Sequence, residues 1–508
     1  MASMAPTTRR LRHVAESLSG QPLRAQSAAY STTTDPLTAK TVGVVACDSE
    51  RASAGYTLFS SGRENYLIDL EGKEVHKWTA SRGVNVAYLL PNGALLRDGS
   101  EDTVNTLFRA GGAAGYVEQV NWEGERIWSF SYQPYDQHLT HHDIEWMPNG
   151  HVLLLAWNRR EVSQLVNDGG RRPELLPDGQ LWVESVLEIA PDGKGGADIV
   201  WEWDLWDHLV QDYDDSKPNF GSVVDNPQLM DVNFVVSNPR GGNRNGSDDR
   251  GRGEKDWTHV NAISYNPELD QIMLSYNMMS ELNVIDHSTT MEEAKGHTGG
   301  RYGKGGDFIY RFGNPATMRG DLMKKQTLYN QHNCHWIPNG SNPAYDAVPG
   351  AGNILLFNNG RVPDREWTTV DEFLLPTAED GGYERAPSDQ AWDLGGFKQA
   401  EHIWTFGEKK DHNRSFYSTH ISGVQRLANG NTLVTLGPQG IMFEVTPGGE
   451  EVWRYINPVN GDDERWSTVR QGDHRGDGRF SLFRGMRYAP TYAGLAGRDL
   501  TPKDFLEA

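Results

Sequence analysis

The chain has 508 residues, with 48 Lys+Arg against 69 Asp+Glu, and so a formal charge of −21. It is 37% hydrophobic and 10% aromatic with 55 Gly and 25 Pro, which excludes both a disordered chain and a helical bundle. The acidic balance excludes a general nucleic-acid binder, which needs a basic face.

Residues 1–34 hold Arg9, Arg10, Arg12 and Arg24, many Ser, Thr and Ala, and a single acid, Glu16. No apolar stretch follows the arginines, so a secretory signal is not expected; the composition fits an organelle transit peptide or a disordered tail. Residues 1–40 are therefore set apart from 41–508, which are expected to form one domain ending in an irregular C-terminal tail. No apolar run reaches the roughly 18 residues of a membrane-spanning helix. Two cysteines, Cys47 and Cys334, cannot staple a chain this long, so stability has to come from a core.

A repeat then runs through the chain: an apolar strand, an Asn-Gly turn, a second apolar strand, an alternating strand, a Gly turn and a Trp-bearing strand. A partial copy opens at Asn65–Asp69 and closes on Trp78. Fuller copies span Ala87–Tyr132 with Asn92-Gly93 and Trp128, and Asp143–Trp203 with Asn149-Gly150 and Trp201. The next are Val260–Phe312, with Asn266-Pro267 at its turn, and the stretch from Pro338-Asn339-Gly340 to Trp404. The cleanest is Ile421–Tyr455, with Asn429-Gly430 and Trp453. Asn-Gly supplies the φ > 0 positions of a tight hairpin, alternation gives each strand one buried face, and the Trp fills the space between stacked sheets. A four-stranded sheet cannot bury its faces alone, so the units have to stack. Six units of roughly 60–70 residues predict an all-β fold, a six-bladed β-propeller with long inter-strand insertions; an open array of β-sandwiches is the other arrangement. The insertion Asp212–Lys255 reads as an irregular loop. The glycine-rich Gly299–Gly306 reads as a blade-connecting turn, because it lacks the Gly-Lys-Ser/Thr ending of a phosphate cradle.

Histidines recur at matching offsets from these turns. His142 and His332 each stand six residues before the proline of their turn, His259 leads Val260–Tyr265 at nearly the same offset, and His420 leads Ile421–Leu427. The innermost strands of a propeller start near one end of the central channel, so equal offsets predict four imidazoles converging on the axis. Asn85 takes the slot in the second unit. His138, His141 and His335 adjoin these positions, but neighbours on a strand alternate faces. His287, His297, His402, His412 and His474 share no register and are read as structural or surface residues. Arg361 and Arg365, directly after Asn353–Gly360, are candidates to fork onto a sulfate or phosphate, and Arg414 is a weaker one.

Three motifs resemble the bacterial arylsulfate sulfotransferase family over roughly residues 55–490: Asp256–Tyr265, His332 followed by Asn353–Gly360 and an arginine, and Phe416-Tyr417-Ser418 before the last repeat. The resemblance implies a six-bladed propeller with an axial funnel. It implies sulfuryl transfer from a phenolic sulfate ester to another phenol, without a nucleotide donor and through a transiently sulfated histidine. His259 and His332 match supporting histidines of the family, and Arg361 or Arg365 matches its arginine. The family's sulfated histidine falls on the strand that here runs Gly440–Glu444, where no histidine stands; His420 enters the same blade one strand earlier.

Three functions are open on these residues. In the first, a sulfotransferase acting on small aromatic or sulfated compounds with no required cofactor, His420 is nucleophile or base, His259 and His332 clamp the sulfuryl oxygens, Arg361 forks onto the anion and His142 is acid/base. In the second, His142, His259, His332 and His420 bind Cu, Zn, Fe or Ni as a metalloenzyme acting on a small molecule. In the third, the propeller is a non-enzymatic binding scaffold.

Overall fold

The computed structural model describes residues 40–100, 107–176, 179–236, 255–320, 326–361, 364–387, 396–407, 416–462 and 465–507. The transit-like segment and Arg414 lie outside these residues, as does the middle of the Asp212–Lys255 insertion.

Six antiparallel sheets stand as blades around one axis. The second blade is built from Ala87–Leu89, Leu95–Ser100, Gly115–Val120 and Arg126–Ser131, and the third from His138–Trp146, Val152–Glu161, Gln180–Pro191 and Ala197–Asp204. The fourth comprises Val260–Asn266, Gln271–Tyr276, Glu281–Asp286 and Tyr310–Phe312, and the fifth His332–Trp336, Ile354–Asn358, Thr369–Leu374 and Glu401–Phe406. Within each of these blades the strands follow in sequence order from the axis outward.

The first and sixth blades close the ring from both ends of the described chain. Gly485–Tyr488 pairs with Tyr56–Ser61 and becomes the innermost strand of the first blade, ahead of Glu64–Ile68 and Glu74–Thr79. Gly43–Cys47 pairs with Glu451–Ile456 at the outer edge of the sixth blade, beyond Gly423–Arg426, Thr432–Leu436 and Ile441–Val445. The stretch expected as an irregular tail therefore carries the strand that locks the propeller. The sequence pattern concealed it, because Gly485–Tyr488 has only four residues and no Asn-Gly turn beside it.

The Asn-Gly turns use their two residues differently. Gly93, Gly150, Gly340 and Gly430 stand at φ of 79°, 86°, 81° and 88°, as no other residue readily does. The asparagines before them act through their side chains. Each Oδ1 accepts the backbone N–H two residues on, at 3.0 Å for Asn92, Asn149 and Asn339 and 3.1 Å for Asn429.

The tryptophans seal blade to blade. Trp78, Trp203 and Trp453 are almost wholly buried. Their indole N–H groups donate across the seam to carbonyls of Asn121 (3.2 Å), Gly306 (2.8 Å) and Leu70 (2.9 Å) in the following blade. Trp453→Phe keeps most of the apolar contact but removes the donor from the partly buried Leu70 carbonyl. The expected cost is about 1–3 kcal/mol, read as a lower urea midpoint at unchanged slope. Cys47 is exposed on the outer strand and Cys334 is buried in the fifth blade, so the two thiols are free. Among the described residues no helix is long and apolar enough to cross a membrane.

Candidate active site

The start of the innermost strands carries unusual backbone. His142, His259, Asn330 and Asn333 have φ of 57°, 49°, 51° and 51°, and Ile421 and Ser422, directly after His420, have φ of 43° and 87°. A β-branched residue such as Ile421 is strained at positive φ. Such strain persists where surrounding contacts over-determine it, commonly at functional sites. Gly112 shows how closely His142 is seated: its carbonyl accepts the His142 N–H at 2.7 Å, and a Cβ on it would overlap the His142 ring. Asn85 reaches the same turn, donating to the Gly112 carbonyl at 3.4 Å while Asp98 holds it at 2.8 Å.

Three buried imidazoles are anchored through Nδ1. The His142 and His259 rings meet edge to face with centroids 4.4 Å apart. His259 Nδ1 donates to the Asp256 carboxylate, which lies three residues upstream. His142 is oriented by a relay. His141 Nε2 lies 2.9 Å from the Glu184 carboxylate, and its Nδ1 shares a hydrogen bond with His142 Nδ1 at 2.8 Å. Glu184 also accepts the Thr258 hydroxyl at 3.1 Å and the Val260 N–H at 2.9 Å, tying the third blade to the fourth at this point.

His332 is set by the fifth and sixth blades. Asn359 Nδ2 donates to the Ile421 carbonyl at 3.0 Å, so its Oδ1 faces His332 and accepts from Nδ1 at 2.7 Å. The Asn330 carbonyl also approaches Nδ1, at 3.2 Å, so this nitrogen carries the proton and Nε2 keeps the lone pair. Burial, together with the nearby His259 and His420, holds the His332 pKa down to about 3. His332 is therefore neutral near pH 7, not an imidazolium.

The sign for stability follows. Unfolded histidine takes a proton near pH 6.5 whereas native His332 refuses one, so the unfolded state gains relative stability as pH falls below 6.5. His335, held down to about 4 chiefly by burial, acts in the same direction. Each is expected to remove about 1.4 kcal/mol per pH unit on acidification from about 6.5 toward its native pKa. Unfolding curves of the wild type and His332→Ala across that range check this, the variant being the less pH-sensitive.

His420 stands apart from the other three in being exposed, with Nδ1 2.9 Å from the Thr419 hydroxyl. It is near enough to depress the His332 pKa. The structure thus strings His142, His259, His332 and His420 along one end of the axis. The two arginines differ. Arg361 is spent on Asp364, through Nε at 2.9 Å and Nη2 at 2.8 Å. Arg365 is buried against the Tyr329 and Trp367 rings and donates Nη2 to Thr369 at 2.6 Å, while its Nη1 has no hydrogen-bond partner among the described residues.

Deeper along the channel an ion pair crosses the axis. Arg484, just before the innermost strand of the first blade, binds both oxygens of Asp143 on the third blade at 3.0 Å and the Tyr88 hydroxyl on the second. Burial works against its charge, but Asp143 and Tyr88 more than offset this and raise its pKa. Beyond this plug a cavity opens among the turns at the other mouth, lined by Arg484, His335, Glu145, Trp336 and Tyr345. None of the four axial histidines lines it.

Asp256, Asn359, Glu184, His141 and Arg484 were not assigned to the site from sequence. Asp256 alone carried a local signal, a carboxylate three residues before a histidine. His141 and Glu184 belong to the blade of His142 and Asn359 follows a strand of the blade of His332, but Glu184, Asn359 and Arg484 lie far along the chain from the residues they hold.

Residues 57–465 match a family model described as Arylsulfotransferase (ASST). No curated protein matches the chain. Among solved structures, a protein of unknown function from Bacteroides caccae is similar at 10% identity and a TM-score of 0.38, covering 86% of this chain and 99% of that one. The Cps50 (Swd1) β-propeller domain of Myceliophteria thermophila is similar at 11% identity and 0.36, over 82% and 90%. A catalytically inactive virginiamycin B lyase from Staphylococcus aureus is similar at 7% and 0.34, over 83% and 90%.

Proposed function

The chain belongs to the arylsulfotransferase family, and from that premise we propose that it transfers a sulfuryl group between phenolic compounds at the axial histidines. The observation that carries the reading is the anchoring of three neighbouring imidazoles, each by its own Nδ1 partner, beside an exposed fourth on strained backbone. A sulfuryl group in transfer spreads negative charge over its oxygens, so catalysis needs positioning and fixed positive charge.

His420 attacks the sulfur of the aryl sulfate. The N–S bond forms as the S–O bond to the aryl group breaks, and the leaving phenolate takes the Nε2 proton of His142 acting as an imidazolium, its Nδ1 engaged by the Glu184–His141 relay. An acceptor phenol then attacks the sulfur, the N–S bond to His420 breaks, and the phenol's proton passes to His142, which restores the starting state. His259, anchored to Asp256 through Nδ1, is the group placed to hold the sulfuryl oxygens. His332 is not the expected charged clamp, because burial keeps it neutral. Arg365 replaces Arg361 as the anion donor, because Arg361 is already committed to Asp364.

Incubation with 4-nitrophenyl sulfate and a second phenol tests this. The expected result is nitrophenol release that rises with acceptor concentration, and a sulfated peptide carrying His420 in mass spectra. Absence of both nitrophenol and sulfated histidine sinks the proposal. A transition metal on His142, His259, His332 and His420 is the second reading; Nδ1 anchoring is also how ligating imidazoles are oriented. Loss of activity on chelation, restored by one metal, would favour it.

A further inference from the structure

Among the described residues one group of three His, Cys, Asp or Glu side chains brings its ligand atoms within 4.8 Å of one another, and it is not axial. It comprises His208, His297 and Asp307. His208 follows the outer strand of the third blade, and His297 and Asp307 flank the glycine-rich segment before the outer strand of the fourth. That segment, Gly299–Gly306, links two strands of one blade and does not connect blades. It is closed by bonds from Gly303 N–H to Gly300 (3.3 Å) and from Gly305 N–H to Gly299 (3.0 Å).

We propose that His208, His297 and Asp307 bind a divalent cation of the zinc class, which clips the third blade to the fourth at the rim of the propeller. The tautomer of His208 carries the argument. Its Nε2 lies 2.8 Å from the Ala294 carbonyl, which can only accept, so Nε2 bears a proton. The neutral ring then turns its Nδ1 lone pair toward an Asp307 oxygen 2.9 Å away. His297 Nδ1 approaches the same oxygen at 2.7 Å. Without a cation, two histidine nitrogens crowd one Asp307 oxygen, at a ring with no exposed side-chain surface. With a cation, both Nδ1 lone pairs and the carboxylate point at one positive centre. Any proton on Nδ1 leaves to solvent when the metal binds.

The surroundings match those of a metal-ligating histidine. Its other nitrogen donates to a backbone carbonyl, which fixes tautomer and ring plane. Trp203 stacks on the ring within 2° of parallel, with centroids 5.5 Å apart. A Cβ on Gly306 would overlap the Ala294 oxygen and lie 2.5 Å from His208 Nε2, so only glycine fits behind the ring. Two imidazoles and one carboxylate suit Zn²⁺, with Co²⁺ and Ni²⁺ as probes, and the 58% exposed side chain of His297 leaves the remaining positions to water. Ligand atoms around Zn²⁺ stand about 3.3 Å apart given bonds near 2.0–2.1 Å, so the exposed His297 swings outward by roughly half an ångström on binding.

The test uses the full chain, stripped with chelator and dialysed, then titrated with Zn²⁺ and with Co²⁺. Expected are one tightly bound metal per chain, Co²⁺ visible absorption typical of four or five ligands, and a melting temperature that rises with Zn²⁺. His297→Ala, at an exposed position that the fold does not need, is expected to weaken binding at least about tenfold, and Asp307→Asn to act in the same direction. Metal binding of equal strength in wild type and His297→Ala overturns the proposal, as does a chain that takes no metal. Metal retained by both variants but lost in His259→Ala also overturns it, and assigns the ion to the axial histidines instead.

Discussion

Asp256→Asn is expected to lower kcat for sulfuryl transfer by about 10²–10⁴-fold, the range for loss of a positioned proton-transfer or charge-stabilising group, with little change in KM. The Asp256 carboxylate accepts from His259 Nδ1 and so holds the proton on that nitrogen. It also stabilises the positive charge the ring needs when it faces sulfuryl oxygens. Asparagine has nearly the same shape but no charge, and if it turns its NH₂ toward Nδ1 the proton moves to Nε2. The imidazole stays in place and loses its role. Circular dichroism of the variant should match the wild type, because the backbone bridge between Asp256 and Trp182 is untouched. Steady-state kinetics of the wild type and the variant check the prediction. Unchanged kcat would remove His259 from the chemistry.

Arg484→Met is expected to cost about 3–5 kcal/mol of folding stability, the range for breaking a buried ion pair and leaving one charge behind. The Asp143 and Arg484 side chains are 1% and 6% exposed, and the pair joins the third blade to the segment leading into the first. Without the guanidinium, Asp143 keeps the Tyr88 hydroxyl at 2.7 Å and the Ile144 N–H at 3.0 Å but loses its counter-charge. Asp143→Leu added to Arg484→Met removes the stranded charge, and most of the lost stability should return. Urea midpoints of the wild type, both single variants and the double variant measure the coupling. If the double variant is as unstable as the sum of the singles, the residues act separately and the cross-axis plug is not an energetic unit.

These two predictions rest on residues of different legibility. Asp256 could be read locally, as a carboxylate one short turn before a histidine that leads an apolar strand. Arg484 could not. It sits in a stretch with no repeat signal, and its partner lies 341 positions away in sequence. The same contrast holds across the site. The offset of His142 and His332 from their prolines is a local distance, and strand geometry converts it into height along the channel. Nothing local says that His141 is spent on Glu184 or that Asn359 turns its oxygen toward His332.

The fold divides in the same way. Asn-Gly turns, period-two apolar strands and closing tryptophans are properties of short windows, so the six-unit architecture was written in the chain itself. Ring closure was not, since Gly43–Cys47 and Gly485–Tyr488 become strands only when offered the exposed edges of other blades. The ionisation of His332 and the tautomer of His208 belong to the same class. Burial and the few acceptors within hydrogen-bond reach decide where a proton sits, and neighbours such as Asn359 at His332 and Ala294 at His208 lie far along the chain and are assembled only on folding.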